Sequence, residues 1–562
     1  MSEPIAAAPG AGGGSTPERG GPAGRLAGAA WLLAGFCVTL PFTVQLLRDS
    51  DQWWHLALGR LILNHGVPST EPFSFVATQH TWVEQQWLYE ALLASLVRIG
   101  GDGLASLVLG LAGSLALLVA ALAVPRSARM SRGWGAAAML LGCVMAGMAL
   151  GVRAETVSAL GVALTLLIVA RWRDGNRWVV WLLPPLFLLW ANLDAGFIAG
   201  LGLLLFTLVI HRQGRDGTPR VSATTSLAVI CVGAAAAGVL LGLLAGAVVL
   251  VLLWAAFRPA GLEPGVRRRP LAISTAAAAV LTLVNPAGPG IYGYIAETIG
   301  NPLLSQLVSD WQSPNFHDTL TRLIEVVAAL LILFWLAGRR PRVPDALLAA
   351  AALLLTLQAV RNVSIFAVVA IPQLAEYGSA AWNARAPIEL RRRLTFRLPA
   401  PLAVVAAVAV SAASIAVAAP QVSAAAATRY EQTHEPASAA AYVAANFPGQ
   451  RLLSSDSDAG YLAYRFPTGR VVFVYDEIGL FGTGPLTDYV DITTISGDWR
   501  ALIARYGIHH AILATSSADV SALLELGWTV NCRDAASGRV VVSAGGPPPT
   551  TEPPPLSDAP TC

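Results

Sequence analysis

The stretch that decides the fold runs from Leu26 to His55 and has the sequence LAGAAWLLAGFCVTLPFTVQLLRDSDQWWH. Residues 26–47 are almost entirely apolar and are long enough for a transmembrane helix, which takes about 20 residues. Two aspartates, Asp49 and Asp51, and the pair Trp53–Trp54 follow directly. This stretch therefore predicts a first membrane span that is followed directly by an acidic and aromatic segment.

The composition indicates many further spans. Of the 562 residues, 55% are hydrophobic and only 13% are charged, and the mean hydropathy is +0.59. These values predict a polytopic α-helical membrane protein and exclude a disordered or fibrous chain. All 37 basic residues are arginines, which excludes lysine Schiff-base and P-loop lysine chemistry. The five cysteines include no close-spaced pair, which disfavours a zinc site, and no nucleic-acid partner is expected.

Apolar runs along the chain predict about 13 transmembrane helices. The run from Val221 to Phe257 is long enough for a hairpin of two spans that turns near Gly242. The other predicted spans are 26–47, 102–124, 133–150, 155–171, 178–192, 195–211, 271–285, 321–338, 344–358, 363–380 and 399–419.

Arginine placement orients these spans. With a cytoplasmic N-terminus, every arginine cluster between the spans falls in a cytoplasmic loop, as the positive-inside rule requires. This topology divides the chain into four parts. They are a disordered cytoplasmic start (1–25), a membrane domain (26–420) with large outer loops at 48–101 and 286–320, an extracytoplasmic domain (435–545) and a Pro-rich disordered tail (546–562).

The acids of the first outer loop are the leading candidates for chemistry. A carboxylate at Asp49 or Asp51 can take a proton from an acceptor hydroxyl or hold a cation beside a phosphate. His55 lies four residues after Asp51, so on a helix the two share a face and can address a phosphate or a metal together. The alternatives are that the aspartates are solvated span ends and that His55 is satisfied by water or a carbonyl group.

Four polar residues at the outer ends of spans are candidates for substrate binding. Arg153 can neutralise a lipid phosphate, or it can form an ion pair with Glu155 at a helix end. Asn192 and Asp194 occupy a tight outer turn, where they either reach the same cavity or cap a helix. Arg361 lies on the outer side, where the positive-inside rule disfavours it, and this predicts binding of the anionic part of a lipid-linked donor.

The loop 286–320 adds aromatic and acidic candidates. Tyr292 lies near its start, and Asp310 and Trp311 follow. An aromatic ring beside a carboxylate is a common way to hold a sugar, but the same residues also suit an interfacial helix.

The C-terminal part has the composition of a small soluble α/β domain. Strands that alternate with helices predict a mainly parallel sheet. It has no Gly-x-Gly-x-x-Gly or nucleophile-elbow motif, so a capping or acceptor-binding role is favoured over a second active site. A Cys532–Cys562 disulfide can form if this domain lies outside the cell, although no other feature of the sequence supports it. The predicted strands are 451–454, 471–475, 511–513, 528–531 and 540–543, and the predicted helices are 436–446, 498–506 and 520–525.

Several strings of residues resemble a bacterial family of polytopic proteins that is similar to the GT-C superfamily of membrane glycosyltransferases. That superfamily includes protein mannosyltransferases, aminoarabinose transferases and oligosaccharyltransferases. The resemblance covers most of the chain. It rests on DQWWHLALG (51–59), GVPSTEPFSF (66–75), WVEQQWL (82–88), WANLDAG (190–196), NPAGPGIY (285–292), DWQSP (310–314) and RNVSIF (361–366).

The resemblance implies an enzyme of the bacterial plasma membrane. It would move a sugar from a polyprenyl-phosphate-linked donor to an extracytoplasmic acceptor in the envelope, with an acid of the first outer loop as catalytic base. Asp51 is preferred over Asp49 because it begins the matching string. The sequence departs from the family pattern at Asp194, where histidine is frequent, and at Asp310, where glutamate is. Both departures are compatible with altered substrate choice and with lost activity.

Three questions stay open at this point. Asp49, Asp51 and His55 are the candidate ligands of a divalent cation, Mg²⁺ or Mn²⁺, if one is required. A non-catalytic scaffold that binds glycan or glycolipid would explain the outer aromatic and acidic residues without catalysis. A lipid or solute transporter is a further functional hypothesis. It is disfavoured because few charges lie deep within the predicted spans.

Overall fold

The computed structural model describes residues 22–76, 83–125, 132–210, 268–301, 308–387, 399–545, 556 and 559–562. The predicted hairpin over 221–257, the N-terminal residues 1–21 and most of the Pro-rich tail lie outside this set. Each of the other predicted spans coincides with a helix. The helices of this part are α1 (Pro22–Thr43), α2 (Asp51–His65), α3 (Trp87–Leu122), α4 (Arg132–Ala146), α5 (Ala154–Arg173), α6 (Leu183–Leu193), α7 (Phe197–Ile210), α8 (Arg268–Leu281), α9 (Gly290–Gly300), α10 (Arg322–Ala337), α11 (Val343–Gln358), α12 (Val363–Arg385) and α13 (Ala400–Ala418).

Among the described residues, five helical segments are long and apolar enough to cross a membrane. Four shorter apolar helices accompany them, which confirms the membrane class but not the count of about 13 spans. The five segments are Leu26–Thr43, Trp87–Leu122, Ala154–Arg173, Val360–Arg385 and Pro401–Val422.

The bundle has a buried centre and an apolar periphery. In the most apolar stretch of α12, 83% of the residues are buried, because α3, α4, α5, α10 and α11 surround this helix. The corresponding figure for α13 is 17%, and this helix packs along α1 at the edge. Large side chains such as Leu336, Leu354 and Val405 are exposed there, as expected where lipid replaces protein.

Helix α3 is bent between its interfacial and membrane halves. The backbone leaves helical geometry at Gly100 and Gly101, and Gly101 has φ +68°, a conformation that glycine adopts without strain. The bend coincides with the predicted start of the second span at residue 102. Residues 87–99 therefore belong to the first outer loop, where they pack against α2.

A glycine fixes how closely α2 approaches α3. A Cβ atom added at Gly59 would lie 2.1 Å from the carbonyl oxygen of Glu90 and 2.9 Å from the Cβ of Ala94. The backbone of Glu90 cannot move aside without displacing α3. This contact sets the position of α2 and hence of Asp51 at its first turn.

We expect Gly59→Ala to destabilise the detergent-solubilised protein by about 1–3 kcal/mol, because the added methyl group overpacks this contact. Gly202→Ala is the matched control, since a Cβ at Gly202 meets nothing within 4 Å. Thermal unfolding of both variants checks the prediction. Equal midpoints for the two variants would contradict the proposed close packing.

The C-terminal domain is built on a four-stranded sheet in the order β1-β2-β4-β3. Only β1 and β2 are parallel, so the prediction of a mainly parallel sheet is wrong. Residues 535–538 alone separate β3 from β4, and a parallel pair would require a crossover of a dozen residues or more. The strands are β1 (Leu452–Leu453), β2 (His510–Ala514), β3 (Thr529–Asp534) and β4 (Arg539–Ser543), and the helices of this part are α14 (Ala424–His434), α15 (Ala437–Asn446), α16 (Asp456–Arg465), α17 (Thr483–Thr493), α18 (Trp499–Tyr506) and α19 (Ala518–Glu525).

The predicted strand over 471–475 is instead an extended segment with isolated bridges. Val472 bridges Leu452 of β1 on one side and Ser74 of the first outer loop on the other. The first outer loop thereby extends the edge of the domain. A Cys532–Cys562 disulfide ties β3 to the last described residues of the chain.

The C-terminal domain and the first outer loop share one hydrophobic core. Trp53 and Trp54 are buried in it, and their rings contact Tyr461 and Tyr475 of the domain at centroid distances of 5.1 and 5.6 Å. Tryptophans beside a span end commonly lie at the headgroup region of the membrane, but here other parts of the protein cover both rings. Their apolar area is covered by protein instead, which places the domain directly over α2.

Candidate active site

Arg153 connects three segments at the outer end of the bundle. It precedes α5, and its Nε lies 2.5 Å from Asp49 Oδ2 while its Nη1 lies 2.9 Å from Asp310 Oδ2. Asp49 comes from the turn between α1 and α2, and Asp310 from the loop before α10. The structure thus brings three predicted site residues from distant parts of the sequence to one point.

Arg361 forms a second ion pair at the same end. Its Nη2 lies 2.5 Å from Glu155 Oε1, and its guanidinium lies 4.6 Å from the centroid of the Trp311 ring. A cation over an indole face is attracted by the ring quadrupole. Trp311 and Asp310 are adjacent, so the two arginines bind the same short segment of the second outer loop.

Asp51 interacts electrostatically with both arginines and forms a direct ion pair with neither among the described contacts. Its Oδ1 accepts a hydrogen bond from Trp54 Nε1 at 3.1 Å. Its neighbour Ser50 donates from Oγ to Asp476, which comes from the C-terminal domain. The site therefore includes a carboxyl group that the sequence-based prediction did not place there.

Burial raises the pKa of these carboxyl groups. For Asp49, burial and then the neighbouring Asp51 raise the pKa to about 7, against the lowering effect of Arg153. For Asp51, burial and then Asp476 raise the pKa well above its ordinary value. With a pKa near neutrality, the Asp49 carboxyl group can accept a proton and release it again at physiological pH.

Asp194 lies at the turn between α6 and α7, and Asn192 lies in the last turn of α6. Asp194 accepts hydrogen bonds from Ser158 Oγ and, at 2.8 Å, from the amide of Gly196, and burial raises its pKa to about 6. Asn192 accepts from Trp87 Nε1 at 2.7 Å and donates to the carbonyl oxygen of Val284 at 2.8 Å. Both side chains therefore connect elements that surround the site.

Two predicted binding residues have partners away from Asp51. His55 Nδ1 lies 3.0 Å from Glu90 Oε1, and burial lowers the pKa of His55 to about 3, so the ring is neutral at pH 7. The expected pairing of His55 with Asp51 is not what the structure has. Tyr292 shares a 2.5 Å hydrogen bond with Thr282, whereas Tyr294, two residues further along the same loop, donates to Glu477 at 2.6 Å.

The sequence-based prediction missed Asp476 and Glu477. The string Tyr475-Asp-Glu477 follows a short hydrophobic run, which is the one local signal that a strand end could carry polar site residues. Ser50 and Asp476 are 426 positions apart, however, and no periodicity relates them. Only the docking of the C-terminal domain on α2 brings them together.

The donor set does not fit the divalent cation considered from the sequence. Within the described ranges, no group of three or more His, Cys, Asp or Glu side chains is arranged to hold a metal ion. His55 is directed to Glu90, and Asp49 is bound by Arg153. Carboxylates that already carry a cationic partner and a distant imidazole are a poor match for the six oxygen ligands that Mg²⁺ prefers.

Comparison with solved structures finds proteins whose fold is similar to that of this bundle and its outer domain. No family model matches the chain, and no curated protein matches it either. The oligosaccharyltransferase of Archaeoglobus fulgidus with a tethered acceptor peptide has a TM-score of 0.50 at 12% identity, covering 92% of this chain and 74% of that one. This likeness shows the fold alone, and the oligosaccharyltransferases are among the proteins that the sequence resemblance pointed to.

Two further solved structures are similar at lower scores. The Archaeoglobus fulgidus oligosaccharyltransferase AglB in complex with an inhibitory peptide and a dolichol-phosphate has a TM-score of 0.48 at 13% identity, covering 94% of this chain and 75% of that one. ArnT from Cupriavidus metallidurans bound to undecaprenyl phosphate has a TM-score of 0.42 at 15% identity, covering 92% of this chain and 97% of that one.

Proposed function

We propose that this protein is a membrane glycosyltransferase that moves a sugar from a polyprenyl-phosphate-linked donor to an extracytoplasmic acceptor. One observation carries the proposal. A half-buried carboxyl group, Asp51, interacts electrostatically with two arginines, Arg153 and Arg361, where the first outer loop meets the membrane bundle. A base next to a phosphate-binding pair is what displacement of a lipid phosphate at a sugar carbon requires.

The proposed reaction is a single displacement. An acceptor hydroxyl attacks the anomeric carbon of the donor, and a new C–O bond forms there. The bond from that carbon to the phosphate oxygen breaks, and the electron pair leaves with the polyprenyl phosphate. Asp51 takes the proton of the acceptor hydroxyl, while Arg153 and Arg361 stabilise the negative charge that develops on the phosphate.

Orientation is part of the proposal. The N-terminus would be cytoplasmic, and the C-terminal domain would lie outside the membrane on the extracytoplasmic side. The Cys532–Cys562 disulfide supports this placement, because disulfides persist in oxidising compartments. The predicted domain boundaries at residues 26–420 and 435–545 follow the same division.

A non-catalytic scaffold is the second candidate, and one observation favours it. Both arginines are already ion-paired, Arg153 with Asp49 and Asp310 and Arg361 with Glu155. In a scaffold these pairs would serve only to join the outer loops. A transferase must open at least one of them to bind the donor phosphate.

Analysis of lipid-linked sugars in a deletion strain tests the proposed function. Loss of a transferase should remove one sugar modification from the envelope, and the polyprenyl-linked form of the same sugar should accumulate. Mass spectrometry of both pools measures this directly. An altered envelope with no accumulated lipid-linked sugar would favour the scaffold.

We expect transfer to be independent of added divalent cations, because Asp49 and His55 have other partners. Treatment of the purified protein with EDTA, followed by dialysis, should leave the transfer rate within about twofold of the untreated rate. An enzyme that depends on a bound metal would instead lose its activity under this treatment. The assay measures transfer in proteoliposomes. Loss of activity that Mg²⁺ or Mn²⁺ restores would contradict this expectation.

A further inference from the structure

The end of the bundle opposite the candidate active site contains a polar cavity of about 60 Å³. It lies where α5, α7, α11 and α12 meet. Helix α5 connects the two ends, because Glu155 lies in its first turn and Arg173, which lines the cavity, lies in its last. One water molecule needs about 10–15 Å³, so the cavity has room for a small polar group such as a phosphate.

Five charged side chains form one network at this cavity. Arg342 Nε lies 2.6 Å from Asp345 Oδ2, and Arg342 Nη2 lies 2.7 Å from Glu376 Oε2. Arg339 also pairs with Glu376, while Arg173 Nη1 lies 3.9 Å from Asp345 Oδ1. Three arginines and two carboxylates give this network a formal charge of +1. A ligand with one negative charge would balance it, since a charge removed from water is stabilised by an opposite charge.

Gln373 provides a second and independent indication of a ligand. It lines the cavity and is only 6% exposed. Its Nε2 donates to the carbonyl oxygen of Asp345 at 3.0 Å, which fixes the orientation of the amide group. Its Oε1 has no hydrogen-bond partner among the described residues. Because buried polar atoms are normally hydrogen-bonded, this oxygen calls for a donor such as a hydroxyl group on the ligand.

The opposite wall of the cavity is apolar and reaches the surface of the described bundle. Leu166 of α5, Phe206 of α7 and Leu348 of α11 line it, and all three side chains are half-buried. Acyl chains can pack against such a wall while a polar headgroup enters the cavity. Basic pockets between transmembrane helices bind lipid headgroups in this way.

We propose that this cavity binds a glycerol phosphodiester headgroup, that of phosphatidylglycerol. The phosphate lies against Arg173 and Arg342, and a glycerol hydroxyl donates to Gln373 Oε1. The single negative charge of the phosphodiester matches the formal charge of the network. A soluble glycerol phosphate has the same polar chemistry, but the apolar wall favours the lipid. The inference does not depend on the proposed transferase function, because it concerns the other end of the bundle.

Native mass spectrometry of the full-length protein in detergent tests the proposal by measuring the Kd of the first bound lipid. Phosphatidylcholine is the comparison lipid, since its headgroup has no net charge and no hydrogen-bond donor. We expect wild type to bind phosphatidylglycerol about tenfold more tightly, the effect of one hydrogen bond to a charged group. Arg173→Gln should weaken the binding of phosphatidylglycerol by about 10–10²-fold.

Arg177→Gln is the matched control for Arg173→Gln. Arg177 lies four residues further along the chain at the same end of the bundle, where it is exposed and contacts the Trp178 ring. The two substitutions remove the same charge, but only Arg173 lines the cavity. Arg177→Gln should therefore keep the wild-type Kd for phosphatidylglycerol. Equal weakening in both variants would indicate general attraction of anionic lipid to a basic surface and would overturn the proposed site.

Gln373→Met is a second variant that keeps the length of the side chain and removes Oε1. It should weaken phosphatidylglycerol by about 2–10-fold, the effect of one neutral hydrogen bond, and leave the Kd for phosphatidylcholine unchanged. Gel filtration shows whether each variant is folded. If Arg173→Gln does not fold, Gln373→Met decides the test, and an unchanged Kd for phosphatidylglycerol in this variant would overturn the proposal.

Two further measurements on wild type test the identity of the ligand. Phosphatidylethanolamine, which is zwitterionic, should bind more weakly than phosphatidylglycerol, and equal affinity would overturn the assignment of an anionic headgroup. Soluble sn-glycerol 3-phosphate at a concentration equal to that of phosphatidylglycerol should leave the lipid bound. Displacement of the lipid under these conditions would show that the cavity takes a soluble phosphate ester and would overturn the assignment of a lipid.

Discussion

Asp51→Asn is expected to lower the rate of sugar transfer by about 10²–10⁴-fold, the usual contribution of a general base. The amide keeps the shape of the side chain and can still accept the hydrogen bond from Trp54 Nε1, so the protein should fold. What it cannot do is take a proton from the acceptor hydroxyl. The assay is transfer in proteoliposomes with protein amounts matched by blot.

The control for Asp51→Asn is Asp318→Asn. Asp318 is an exposed acid of the second outer loop. The substitution Asp318→Asn makes the same chemical change on the same side of the bundle. The transfer rate of this variant should equal that of wild type. Gel filtration and thermal unfolding show whether each variant is folded. A folded Asp51→Asn protein with a wild-type rate would exclude Asp51 as the base.

Arg361→Gln is the second substitution that we expect to lower transfer activity strongly. We expect it to lower kcat/KM for the lipid-linked donor by about 10–10²-fold, since a hydrogen bond to a charged group contributes about 1.5–3 kcal/mol. The substitution removes the guanidinium from the Trp311 ring and from Glu155. If Arg361 binds the donor phosphate, the loss should appear mainly as a raised KM for the donor.

A double variant separates phosphate binding from the ion pair with Glu155. Arg361→Gln alone leaves Glu155 without its partner, and this by itself can destabilise the site. Adding Glu155→Gln removes the unpaired charge. If the double variant recovers wild-type kcat/KM, Arg361 serves only to neutralise Glu155. If the double variant stays as slow as Arg361→Gln, the arginine acts on the donor.

The membrane part of the fold could be predicted because its signal is local. A span requires about 20 consecutive apolar residues, and such runs are visible without any knowledge of tertiary contacts. The start of the second span at residue 102 was predicted, and it directly follows the bend of α3 at Gly100 and Gly101, which was not predicted. The sheet was predicted less well, because the direction of strand pairing depends on which strands become neighbours.

The arginines of the candidate site were recognisable from their sequence context. Arg361 was singled out because it lies where the positive-inside rule disfavours it, and the structure places it over Trp311. Its partner Glu155 belongs to a different helix and was considered only as a partner of Arg153. The sequence gives the sign of a charge at a span end, whereas packing of the helices decides which opposite charge it meets.

The contribution of the C-terminal domain was not predictable from the sequence. Asp476 reaches Ser50 only because Trp53 and Trp54 pack beneath the domain and because Ser74 pairs with Val472. Each of these contacts joins residues several hundred positions apart. Tryptophans near a span end are typical of the membrane interface, so their burial under a protein domain had no local signal.

A single measurement tests most directly whether Asp51 is the base of a sugar transferase. Mass spectrometry compares envelope sugars and polyprenyl-linked sugars in wild-type, deletion and chromosomal Asp51→Asn cells. The protein levels of wild-type and Asp51→Asn cells are matched. A transferase with Asp51 as base predicts that Asp51→Asn cells match the deletion strain, with one sugar modification lost and its lipid-linked donor accumulated. Asp51→Asn cells with a wild-type envelope, beside a deletion strain with an altered one, would contradict the claim and leave the protein as a scaffold.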